Sequence, residues 1–117
     1  MGKVIKSPKS PHSDKSLSDL VGPELHAWAA EEIDGFKNVG RKPDGSFEGT
    51  KGAKKPIPPY HNRTEIERLA SQVLTGGESL RLTQNGEPIS LAIATLAQLE
   101  LLLRVLILCS LNKRGVV

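Results

Sequence analysis

The clearest periodicity lies between residues 66 and 74, where Ile66, Leu69, Ala70, Val73 and Leu74 recur at i, i+3, i+4, i+7 and i+8. That spacing lines one face of an amphipathic helix. Asn62 to Glu65 and Thr64 to Glu67 both have the form of a capping box at its start, and Gly76-Gly77 supplies its stop. The period then changes. In LRLTQNGEPISLAI, residues 80 to 93, Asn85-Gly86 predicts a two-residue hairpin turn, since both central positions need positive φ. Counting outward pairs Gln84 with Glu87, Thr83 with Pro88, Leu82 with Ile89, Arg81 with Ser90 and Leu80 with Leu91. Alternation puts Leu80, Leu82, Ile89 and Leu91 on one face, extended by Ile93, and Arg81, Thr83 and Ser90 on the other. Pro88 falls in a pair that exchanges no hydrogen bonds, so its missing N–H costs the ladder nothing.

A hairpin alone is marginal in water and needs a cover. Thr95 with Gln98 forms another capping box, and a helix running to about Leu111 follows, closed by Lys113, Arg114 and Gly115. It is apolar almost all round, with Glu100 and Arg104 in the favourable i, i+4 order marking one narrow wet strip. Leu101, Leu102, Leu103, Val105, Leu106, Ile107 and Leu108 are more than one small monomer can bury. A dimer or larger assembly is therefore expected, with Leu99, Leu102, Leu103, Leu106 and Ile107 at the interface.

The first half of the chain is patterned differently. Residues 1 to 15 are a basic arm of Lys, Ser and Pro. Between residues 16 and 36 there is no Lys or Arg, Pro23 suits a first helical position, and Leu25, Trp28, Ala29, Ile33 and Phe36 recur at helical spacing. A short acidic helix over about 23–36 is predicted, either packed on its own chain or docking Leu25, Trp28, Ile33 and Phe36 in a partner's groove. KNVGRKPDGSFEGTKGAKKPIPP, residues 37 to 59, reads as a basic linker with a turn at Pro43-Asp44-Gly45. It is either a solvated tether or a segment that follows a phosphate backbone. The expected division is a flexible arm over 1–59, carrying one helix and the linker, and an α+β domain over 60–117.

Composition narrows the chemistry. The 117 residues carry a net charge of +3, mildly basic and compatible with nucleic acid. The one cysteine, Cys109, allows no intrachain disulfide and sits among apolar neighbours like a small buried hydrophobe. His12, His26 and His61 are scattered, and no phosphate-cradling glycine motif or metal-ligand spacing occurs, so neither an enzyme nor a cofactor is expected. The N-terminus lacks a secretory apolar run, and the oiliest stretch, residues 96 to 111, falls short of the roughly 20 residues a bilayer span needs. A cytoplasmic protein without a membrane partner is expected.

Glu65 to Leu103, above all GGESLRLTQNGEPISLAIATLAQLELL, resembles the Phd/YefM antitoxins: a helix, Gly-Gly-Glu, a strand, Thr-x-Asn-Gly-x-Pro, a second strand and a capped helix. Gly76-Gly77-Glu78, Thr83, Asn85-Gly86, Pro88 and Thr95 carry the resemblance over about a third of the chain. It implies a small Phd/YefM-like α+β domain that dimerises, binds operator duplex DNA and represses its own operon, and a tail that neutralises a toxin. Two departures stand out. IPPYHNRTEI occupies the place of the family's initial strand, and the sequence stops at Val117 without a toxin-wrapping tail; the expectation is either that the helix around Trp28 has taken the partner-binding role or that the fold has been recruited for something else. Arg63 and Arg68 begin the helix whose start faces DNA in that family; Arg81 lies on the hairpin's wet face, and Lys54 and Lys55 are candidate flexible phosphate contacts. The expected function is a DNA-binding transcriptional regulator resembling the antitoxin of a type II toxin pair, with DNA, a second copy and a toxin or other protein as partners. The alternative is a non-enzymatic assembly protein of a phage or mobile element, oligomerising through the Leu-rich helix.

Overall fold

A computed structural model of the chain describes residues 9–11, 15–60, 62–74, 82–84, 86–90 and 93–115. In chain order these hold α1 (Gly22–Glu32), β1 (Lys37–Arg41), β2 (Phe47–Lys51), β3 (Ala53–Pro56), α2 (Arg63–Val73), β4 (Leu82–Gln84), β5 (Glu87–Ile89) and α3 (Leu96–Lys113), with a single 3₁₀ turn at Leu17–Asp19 before α1. The fold is α+β, as its sequence predicts, but the sheet lies in an unexpected place.

The helix ends follow their local chemistry. Asn62 Oδ1 accepts from the Glu65 N–H at 2.9 Å and starts α2. Thr95 and Gln98 form the reciprocal box of α3, with Thr95 Oγ1 accepting at 3.2 Å and Gln98 Oε1 accepting from the Thr95 N–H at 2.8 Å. The hairpin pairs Leu82 with Ile89, Thr83 with Pro88 and Gln84 with Glu87, in the register counted from the turn. Gly86 has φ 81°, a conformation that favours glycine. Asn85, Leu80, Arg81 and Leu91 lie outside the described residues.

Residues 37–59 are not an irregular linker. They form an antiparallel meander of order β1-β2-β3. Pro43-Asp44-Gly45 becomes its first turn, closed by Lys42 N–H to Ser46 O at 2.7 Å, with Asp44 Oδ1 accepting from Ser46 N–H at 2.9 Å. The buried residues Phe47 and Gly49 alternate with half-buried Glu48 and Thr50. Gly49 is required by close approach: a Cβ there would lie 2.9 Å from Val39 Cγ2 and 3.2 Å from the Lys37 carbonyl. The glycine conceals the apolar alternation that would otherwise mark β2 as a strand.

One core joins both halves of the chain. Leu17, Leu20, Leu25, Trp28, Phe36, Phe47 and Tyr60 belong to the same buried cluster as Ile66, Leu69, Leu103, Leu106 and Ile107. The packing therefore crosses the boundary expected at residue 59, and the stretch from Leu17 onward is no loose arm. Polar bonds at each end align α1 with α3. Near their starts, Glu100 Oε2 accepts from Gly22 N–H at 2.7 Å and Arg104 donates to the Leu20 carbonyl at 3.0 Å. Near their ends, Ser110 Oγ and Arg114 donate to Glu32 at 2.8 and 2.7 Å. The two helices thus run side by side in the same direction. Lys113 Nζ adds a bond to the Val73 carbonyl at the end of α2, at 2.6 Å.

These bonds reverse the expected sidedness of α3. Glu100 is buried rather than lying on a wet strip, and Arg104 is half-buried. The residues expected at an oligomer interface, Leu99, Leu102, Leu103, Leu106 and Ile107, are buried in the chain's own core. Leu101, Val105 and Leu108 face outward instead.

Candidate functional site

Where α1 ends, Asp34 is carried inward and its carboxylate is 2 % exposed. Three elements converge on it. Lys51, the last residue of β2, donates to Oδ1 at 2.7 Å; Arg68 of α2 donates to Oδ1 at 2.6 Å and to Oδ2 at 3.1 Å; Tyr60, fully buried before α2, donates its hydroxyl to Oδ2 at 2.5 Å. Arg68 also bonds Glu65 at 2.7 Å. The edge of the His26 ring meets the Tyr60 ring at a centroid distance of 6.0 Å.

Burial pushes the Asp34 carboxyl up, but hydrogen bonds from Arg68, Lys51 and Tyr60 outweigh it and hold it well below the usual carboxylate range. Burial first, and then the bond to Asp34, push the Tyr60 phenol above its ordinary value. Four accepted bonds occupy the two carboxylate oxygens, leaving no lone pair directed at a substrate. A base so engaged abstracts nothing. The cluster is a polar pin that fixes the end of α1, the end of β2 and the first half of α2 against one another.

The expected DNA-contacting residues separate on this basis. Arg68 is part of the pin, with its guanidinium engaged by Asp34 and Glu65, and it is not a spare cation at a helix start. Arg63 is exposed and pairs with exposed Glu67 at 3.0 Å. Lys54 is exposed and reaches Glu48 at 3.1 Å, while Lys55 is exposed on β3. Arg81 lies outside the described residues. Lys37, one of the cations of the basic 37–59 segment, gains a neighbour that its sequence position does not show: Lys37 and Lys54 both pair with Thr50, one from each side, forming a cross-strand row with a cation at either end. Two inter-strand spacings separate their backbones, about 9.5 Å. Only the pairing of three strands could reveal that row.

The residues expected to hold a partner, Leu25, Trp28, Ile33 and Phe36, are all within the buried core. They realise the other reading of the acidic helix, packing on its own chain. Among the described residues, no group of three or more His, Cys, Asp or Glu gathers to hold a metal ion, and no helix is long and apolar enough to cross a membrane. Compared with protein families, characterised proteins and solved structures, the chain shows no significant match to any.

Proposed function

We propose that this protein is a non-catalytic, DNA-binding regulator that holds the duplex by its phosphates. The observation that supports it is a set of exposed cations the core does not use: Lys37 and Lys54 in one cross-strand row, Lys55 beside them on β3, and Arg63 at the start of α2. Between Ala53 and Arg63 the sequence contains no Asp or Glu. Arg63–Glu67 is exposed and Lys54–Glu48 joins an exposed lysine to a half-buried glutamate; pairs at the surface contribute at most about 1 kcal/mol, so a phosphate can displace them. The resemblance of the helix–hairpin–helix half to the Phd/YefM antitoxins supports the same reading. Lys54 and Lys55 then act as phosphate contacts, and Arg63, placed on the first turn of a rigid helix, is the residue positioned to meet a base edge or a phosphate.

The test is fluorescence anisotropy with a random-sequence duplex across a salt series. Affinity is expected to fall steeply as salt rises. The double change Lys54→Ala and Lys55→Ala is expected to lower the log–log slope by about 1.8, roughly 0.9 for each phosphate no longer neutralised. No binding at low salt, or a slope the double change leaves intact, would overturn the assignment. A second reading, an assembly protein, draws on the apolar outer side of α3; ordered particles larger than a dimer, formed without DNA, would favour it.

A further inference from the structure

Between the start of α1 and the meander lies a cavity of about 180 Å³ that the core does not fill. Its walls are stiff. Pro23 of α1, Pro56 at the end of β3 and Pro59 beyond it supply three rings with no side-chain freedom to lose when a ligand enters. Phe47 and Ile57 add apolar surface, and His26 completes the wall, its ring braced against Tyr60, which Asp34 anchors in turn. A cavity of about 150 Å³ holds a benzene molecule, so this one takes a single six-membered ring with small substituents. Among the described residues no Lys, Arg, Asp or Glu lines it, which favours a neutral ring over an ion. Ser46, the remaining lining residue, has its hydrogen committed: the hydroxyl donates to Asp44 Oδ1 at 2.6 Å. The hydroxyl and then the N–H of Ser46 hold the Asp44 carboxyl below its ordinary value, so Asp44 stays ionised and cannot donate back. The Ser46 oxygen is left as an acceptor, and the ring it suits carries an N–H or O–H.

We infer that this cavity binds a pyrimidine ring, free or as an unpaired base of a nucleic-acid strand, with the ring N–H donated to Ser46 Oγ. Such a base is neutral, has one six-membered ring and carries the required donor. Its surroundings favour a base over a hydrocarbon or a phenol. The lining stretch from Pro56 to Pro59 lies in the chain between Lys54 and Lys55 on one side and Arg63 on the other, the cations proposed to hold phosphates. Cations that follow a backbone beside an apolar seat for a ring are the means by which proteins hold unpaired bases. The nucleic-acid source rests on that phosphate reading. The ring site does not, because its walls and its acceptor include no cation.

Titrating the full chain with thymidine, followed by NMR at the His26 ring and the Ile57 methyl groups, tests the site with no phosphate present. A ligand this small is expected to bind with a dissociation constant on the order of 1 mM. Thymidine methylated at the ring N–H is expected to bind about fivefold more weakly. In Ser46→Ala, a change at an exposed position, the difference between the two nucleosides is expected to vanish, which separates the lost hydrogen bond from the added methyl group. Anisotropy reads the source, comparing a duplex that carries one extrahelical thymine with the same duplex carrying an abasic residue there. Tighter binding of the first places the ring in a strand, and equal binding makes it a free ligand; both keep the site. If neither duplex binds while the thymidine shifts persist, the phosphate reading falls and the ring site stands. No shift at His26 and Ile57, a methylated nucleoside that binds the parent equally well, or tighter binding of p-cresol, the ring of a tyrosine side chain, would overturn the proposal.

Discussion

The two sides of α3 are built from nearly the same residues and meet opposite surroundings. Leu102, Leu103, Leu106 and Ile107 are buried against α1 and α2, whereas Leu101, Val105 and Leu108 stand in solvent. Hydropathy does not separate the two sets, and charge points the wrong way. Glu100 and Arg104 read as the solvent side in a helical projection, yet they turn inward because the start of α1 lies within reach. Val21 offers α1 no side-chain cap, and an uncapped helix start presents N–H donors with partial positive charge. A carboxylate from a neighbouring helix satisfies one of them. The lesson is that charges on an apolar helix mark solvent only when no backbone end is near enough to engage them.

The contrast can be broken most directly by shortening one leucine on each side. Leu106→Ala, at a fully buried position, is expected to cost about 2–5 kcal/mol through reduced burial and a residual cavity. Leu101→Ala is expected to change stability by no more than about 0.5 kcal/mol at concentrations where the chain is monomeric. Equal losses in chemical denaturation would mean that the two sides are not different.

A somewhat smaller effect is expected from the pin that seats α2, and with it the cover over the inner side. Asp34→Ala removes the acceptor shared by Lys51, Arg68 and Tyr60. The two cations are 42 and 38 % exposed and regain water, which places the loss at the lower end for a broken buried pair, about 2–3 kcal/mol. Its pH dependence has a definite sign. A carboxyl held below its unfolded value contributes stability that is complete above roughly pH 5 and is lost as pH falls past the unfolded value near 4. Asp34→Ala should therefore flatten the parent's acid limb between about pH 5 and 2, and an unchanged limb would remove Asp34 from the pin.

The smallest of these effects sharpens the sidedness itself. Glu100→Ala deletes the charge-assisted bond to the Gly22 N–H and is expected to cost about 1–2 kcal/mol, comparable to the loss of a helix cap. A neutral result in thermal unfolding would return Glu100 to the solvent strip that its sequence suggests.

The features legible from the chain alone are local. The Asn62 and Thr95 caps, the apolar stripe of α2, the Pro43-Asp44-Gly45 turn and the hairpin register each depend on groups a few residues apart, and each forms as predicted. The meander was not legible because its strands are four or five residues long, carry Lys and Gly, and hide their inner face behind Gly49. Of the candidate cations, exposure at Lys54, Lys55 and Arg63 was foreseeable from polarity, while Lys37 needed strand pairing and Arg68 needed Asp34. Whatever depends on which distant groups become neighbours was set by the tertiary fold. It brought Asp34 beside Arg68 across 34 residues and Gly22 beside Glu100 across 78. It thereby chose which side of an almost uniformly apolar helix became core. No local signal carries that choice, because an apolar face has no preferred partner until another surface is brought to it.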